Sequence, residues 1–230
     1  MKIILKNTLT FVLIMTMSVG IMQINDVCAE ETEINSSNLV NALEQSDIVE
    51  YEDEEILYDE ETVYDFVDKI DLSSINEQAI KNGLEPMTAD DLYNIFIKGI
   101  EEVNKSLEDG ELTMLSDGAM IDSDDDDFYL QGGSTKDIKH WWGVTRYKST
   151  ANANKWVKSL NRTAAAEAGI GVIAAAVLGP YGAIPGVIGG IGCWYCWDLA
   201  SSVDYYNGLS KRGIVAKIPW VLVGYSVKKQ

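Results

Sequence analysis

Residues 168–197 run for thirty positions (AGIGVIAAAVLGPYGAIPGVIGGIGCWYCW) without one charged side chain, and eight of them are glycine. Such a segment does not stay in water as an open coil; it is buried in a core, packed on another chain or placed in lipid. Gly179-Pro180-Tyr181-Gly182 interrupts it with a turn, and Pro185 suits the first turn of a following helix, so the simplest fold is an apolar helical hairpin. The first arm, residues 164–178, is about 22 Å long as a helix, short of a hydrocarbon layer of roughly 30 Å. That length argues against a permanent anchor and leaves conditional insertion. Gly182, Gly186 and Gly190 fall at i, i+4 and i+8, a tandem small-xxx-small face on which a second helix can approach closely. Gly169 and Gly171 extend the set of expected packing positions into the first arm.

Charge divides the chain. Residues 30–130 carry 31 acids and 4 bases, whereas residues 131–230 carry 4 acids and 12 bases. The net charge of −18 therefore hides a −27 region tethered to a +8 region. Nucleic acid is not an expected partner, because the acidic half repels phosphate more strongly than the basic half attracts it. His140 is the only histidine, so a Ser-His-Asp triad or a multi-histidine metal site has almost nothing to be built from. No cofactor is expected.

The N-terminus reads as a targeting segment. Lys2 and Lys6 precede a thirteen-residue apolar core at positions 10–22, and Val27-Cys28-Ala29 offers small residues before a cut at Glu30. Residues 1–29 are assigned as a secretory signal peptide, which places the protein outside the cell and removes Cys28 with the signal. Residues 30–131 are expected to form an acidic, mostly helical, partly disordered pro-region. Its best helix starts at Thr88-Ala89-Asp90-Asp91, a capping box with Asp in place of Glu, and carries Leu92, Ile95, Phe96, Ile100, Val103 and Leu107 to Gly110. Weaker helices are expected at residues 39–49 and 63–70. The run Asp122-Ser123-Asp124-Asp125-Asp126-Asp127 lacks the glycine and the bidentate glutamate of a calcium loop and is read as solvated charge. Composition changes abruptly at Gly132-Gly133, an expected domain boundary and a possible processing site.

Residues 132–230 hold all six tryptophans. Strand-like residues open this part at positions 140–148 and close it at positions 214–227, with breaks at Pro219 and Gly224. Thr150 can cap a helix through Trp156 and Leu160, and Asn207-Gly208 can stop a second one that includes Trp197 and Val203. The whole chain is thus expected to be α+β, with short strands flanking the glycine-rich hairpin. Lys136, Lys139, Arg146, Lys148, Lys155, Lys158, Arg162, Lys211 and Arg212 are read as a cationic surface, each worth on the order of 1 kcal/mol near an anionic bilayer. Trp141, Trp142, Trp194, Trp197 and Trp220 are read as interfacial aromatics. Cys193-Trp194-Tyr195-Cys196 lies in an apolar arm with no cation beside it, which suits a structural disulfide or two buried thiols better than redox chemistry.

The segment from Trp141-Trp142-Gly143 through GIGVIAAAVLGPYGAIPGVIGG to WVLVGYSVKKQ resembles the C-terminal region of large, unmodified, secreted bacteriocin-like proteins of Gram-positive bacteria. It covers about 90 residues, and its motifs are compositional. It departs from the short pediocin-like peptides, since Tyr181-Gly182 is followed by Ala183-Ile184. The resemblance implies killing of related bacteria through the membrane. The expected partners are then an anionic bacterial membrane, further copies of the chain through the small-residue faces, and a receptor or immunity protein of unknown kind. Two other classes stay open: a secreted surface interaction module whose hairpin is only core, and a secreted enzyme whose site the sequence does not display.

Overall fold

The computed structural model describes residues 34–81, 83, 85–123, 135–166, 170–179 and 193–230. All of them belong to one compact unit, Glu33–Gln230. The segment assigned as a signal peptide, and residues 124–134 around the expected boundary, lie outside the described residues.

The acidic half opens with helix α1 (Leu39–Gln45), the hairpin β1 (Val49–Glu52) and β2 (Glu55–Tyr58), and helices α2 (Glu60–Asp68) and α3 (Ser73–Lys81). Helix α2 begins where the Asp59 side chain accepts from the Thr62 backbone N–H at 2.8 Å, with Glu60 and Glu61 in the first turn. The long helix α4 (Ala89–Glu108) follows, and its capping box is complete: Thr88 Oγ1 accepts from Asp91 N–H, and the Asp91 carboxylate accepts from Thr88 N–H. Every apolar residue that set its period, from Leu92 to Leu107, is buried. Asn104, on the same helix, exchanges hydrogen bonds with both backbone groups of Ile56 at 2.9 Å and so fixes β2 beside it. The sequence reading placed the first helix to residue 49, but it ends at Gln45 because residues 49–58 pair as a hairpin, Val49 opposite Tyr58.

Six strands then form one antiparallel sheet in sequence order: β3 (Leu112–Met114), β4 (Met120–Asp122), β5 (Lys136–His140), β6 (Gly143–Lys148), β7 (Ile214–Pro219) and β8 (Ser226–Lys229). Three helices are inserted between β6 and β7: α5 (Thr150–Ala165), α6 (Ile170–Leu178) and α7 (Cys193–Gly208). The fold is α+β. The register sets Asp137, Arg146 and Ala216 side by side on one face of the sheet, and Ile138, Thr145 and Lys217 on the other. Asn207 at the end of α7 donates to Asn154 Oδ1 and Thr150 O near the start of α5, so these two helices run antiparallel.

Acidic and basic halves share this architecture. Met120 of β4 pairs with Lys139 of β5, and Lys139 is buried in an ion pair with Asp122 at 3.3 Å. Lys217 of β7 pairs with Glu44 of α1. The Trp141-Trp142 loop between β5 and β6 turns into the core, where Phe96 of α4 meets Trp141 at a centroid distance of 5.7 Å. Trp220 is 1% exposed, donates from Nε1 to Trp141 O at 3.0 Å, and lies so close to Gly99 of α4 that an added Cβ would stand 2.7 Å from its Cδ1. The acidic half is therefore packed into the core of the basic half, where a loosely packed region was expected.

Candidate functional site

Helix α6 is the described part of the uncharged stretch. It buries Ile173, Ala174, Val177 and Leu178 and leaves Val172 exposed, so it lies on the protein through one face. A helix end leaves carbonyls without intrahelical partners, and here two side chains take them up. Trp156 of α5 donates from Nε1 to Ala176 O at 2.8 Å, and Arg146 of β6 donates to Val177 O. The guanidinium also faces Asp137, with Nη2 at 3.0 Å from its carboxylate, and stacks 4.9 Å over the Trp156 ring. Lys148 reaches the same carboxylate at 2.8 Å. A cation at the C-terminal end of a helix also complements its dipole. The apolar arm is thus tied to the sheet at its last turn by Arg146 and Trp156, which hold each other in place.

This geometry revises the cationic surface. Arg146 and Lys139 are each 7% exposed and paired, Lys148 is paired to Asp137, and Lys136 is half-buried on β5. They belong to the interior because the acids Asp122 and Asp137 meet them there across the sheet, a pairing that charge counting cannot see. Lys155, Lys158 and Arg162 remain exposed, at a spacing that keeps them on one side of α5, and Lys211 and Arg212 are exposed in the turn before β7.

The aromatic set divides in the same way. Trp141, Trp142 and Trp220, expected at a lipid interface, are core residues, and the sixth tryptophan, Trp156, is buried as well. Hairpin loops and the strand end at Pro219 bring them under α4, which sequence order does not reveal. Trp194 is half-buried and Trp197 is 50% exposed, so only these two remain accessible. Gly171, expected at a close helix approach, is exposed, and a Cβ there would meet nothing within 4 Å. Gly169, Gly182, Gly186 and Gly190 lie outside the described residues.

Cys193 and Cys196 are free thiols on α7, not a disulfide. Burial pushes the Cys196 thiol up to about 11, the opposite of what thiolate chemistry needs. His140 stacks on Trp142 with centroids 4.8 Å apart and shares a 2.9 Å hydrogen bond between Nε2 and Thr145 Oγ1. Burial lowers its pKa to about 4, with the Glu44 charge opposing and the Lys217 charge reinforcing that shift. Among the described residues, no group of three or more His, Cys, Asp or Glu side chains is placed to hold a metal ion, and no helix is long and apolar enough to cross a membrane. Sequence reasoning missed Asp137 and Trp156 as partners of the arm, since nothing in their spacing relates them to residues 176–177. No protein-family model, no curated protein and no solved structure matches the chain.

Proposed function

We propose that the protein is a secreted antibacterial effector of the bacteriocin-like kind, which permeabilises the membrane of competing bacteria, with residues 30–131 as a masking propeptide. The observation that carries this reading is the attachment of α6: a helix without charges, lying on the protein through four apolar side chains and two side-chain donors at its end. Lipid replaces apolar contacts at little cost, because hydrocarbon tails and a protein core are similar solvents for Ile173, Val177 and Leu178. The barrier to release therefore resides in the Arg146 and Trp156 bonds. Exposed Lys155, Lys158, Arg162, Lys211 and Arg212, with Lys228 and Lys229 on the last strand, supply attraction to anionic headgroups. Nine residues of α6 span only about 14 Å, so crossing a bilayer would need the chain beyond it. The ion pairs Lys217–Glu44 and Lys139–Asp122 are the contacts through which the acidic half would restrain the basic one.

Dye release from phosphatidylglycerol vesicles and from neutral phosphatidylcholine vesicles tests the proposal, with the full chain before and after proteolysis between residues 123 and 135. Release from the anionic vesicles alone, increased by the cut, is expected; no release by either form would refute it. A second reading, a secreted surface interaction module, is favoured by the burial of Trp141, Trp142, Trp156 and Trp220, which leaves most of the aromatic set in structural roles. It predicts an intact fold, no dye release, and retention on bacterial cell surfaces.

A further inference from the structure

A cleft of about 860 Å³ opens at the start of α7. One wall comes from the C-terminal half, with Trp194, Trp197, Asp198 and Tyr225, and the other from the acidic half, with Ser74 and Gln78 among its residues. The two walls are held together where Gly224 meets the loop before α1; a Cβ at Gly224 would stand 2.2 Å from the Ser36 carbonyl oxygen. Tyr195, buried beneath, donates from its hydroxyl to Gly224 O at 3.0 Å and holds the same loop from the other side. The Tyr225 hydroxyl donates to Asp198 and lies 2.9 Å from Ser202 Oγ, so the one carboxylate of the cleft is fixed in direction. The indole Nε1 of Trp194 is buried with no partner among the described residues, an unmet donor in the wall.

The lining contains no lysine, arginine or histidine. It therefore offers nothing to phosphate or carboxylate, and its polar groups are hydroxyls, an amide and a single acid. Indole and phenol faces are apolar and electron-rich, and they suit the C–H face of a pyranose ring, whose hydroxyls point sideways to acceptors and donors such as Asp198, Ser74 and Gln78. The volume lies in the range of drug-sized ligand sites and far exceeds a single methylammonium group. We propose that this cleft is a saccharide-binding site, with Trp197 and Trp194 as stacking platforms and Asp198, oriented by Tyr225, as the hydroxyl acceptor. Because both halves of the chain form it, a bound glycan braces the seam between them, and the site exists only while the halves remain packed.

The inference is independent of the membrane reading, since lipid vesicles carry no glycan. The full chain is titrated calorimetrically with N-acetylglucosamine hexamer, cellohexaose and maltohexaose. At least one of them is expected to bind at about 1 mM or below, to raise the unfolding midpoint and to shift the tryptophan emission. Trp197 is half exposed, so Trp197→Ala leaves the core intact; it should weaken binding about tenfold or more while the circular dichroism spectrum stays that of the parent. Tyr225→Phe, which frees Asp198, should weaken binding by a smaller factor. Failure of all three sugars to bind, affinity unchanged in Trp197→Ala, or binding of tetramethylammonium in place of every sugar would overturn the proposal.

Discussion

Replacing Arg146 by Met removes the charge while keeping an unbranched apolar stem over the Trp156 ring. The side chains of Arg146 and Asp137 are only 8% and 16% exposed, so their pair is largely desolvated. Breaking a buried pair from one side costs about 3–5 kcal/mol, because the remaining charge stays buried without its partner. Here Lys148 still reaches Asp137 at 2.8 Å, which moves the cost to the lower end of that range. The Val177 carbonyl also loses its donor at the end of α6, a loss of about 1 kcal/mol where water can reach it. A destabilisation of about 3–4 kcal/mol follows, which lowers the urea midpoint by roughly 1.5–2 M for a slope of about 2 kcal/mol per M. Hydrogen exchange should place the change in α6, with amides of residues 173–178 losing protection before those of α4. Trp156→Phe, which removes only the bond to Ala176 O, should cost about 1 kcal/mol, and the double variant should cost less than the two losses together, since both act on one helix end. If Arg146→Met costs under about 1 kcal/mol, or exchange in α6 is unchanged, the arm is held by its apolar contacts alone and the two donors are not its latch.

Two further outcomes test the shared core and its titration. Gly99→Ala, ordinarily favourable inside a helix, should destabilise by about 1–3 kcal/mol because the new methyl group meets the Trp220 ring at 2.7 Å; a gain in the denaturation midpoint would show that α4 does not pack there. His140 has a folded-state pKa of about 4 against an ordinary value of 6.5, so the unfolded chain takes up its proton first as the pH falls. Its contribution is complete above pH 6.5 and is lost progressively down to about pH 4, at most about 3 kcal/mol. His140→Phe should flatten the stability profile in that window, and an NMR titration midpoint near 6.5 would refute the burial argument.

Local chemistry made much of the backbone legible. The Thr88 box and the period from Leu92 to Leu107 define α4 to within two residues at its far end, because a cap and an amphipathic face act within a few turns. Pro219 and Gly224 bracket the break between β7 and β8 for the same reason: one cannot continue a ladder, and the other admits a close backbone approach. The hairpin at residues 49–58 was not legible. Its two-residue loop is Asp53-Glu54, both in the left-handed region, where Asn-Gly would have announced the turn.

The sequence by itself determined the uncharged stretch, the opposite signs of the two halves and the places where helices start and strands stop, since each depends on neighbours along the chain. Only the tertiary structure decided which charges and rings are outside. Lys139, Arg146, Trp141 and Trp220 have the composition of a membrane-facing surface, yet antiparallel pairing sets Asp122 and Asp137 against the first two, and α4 covers the last two. Burial is a property of what arrives from distant segments, and the segments that arrive here come from the acidic half and from strands that pair across the sheet.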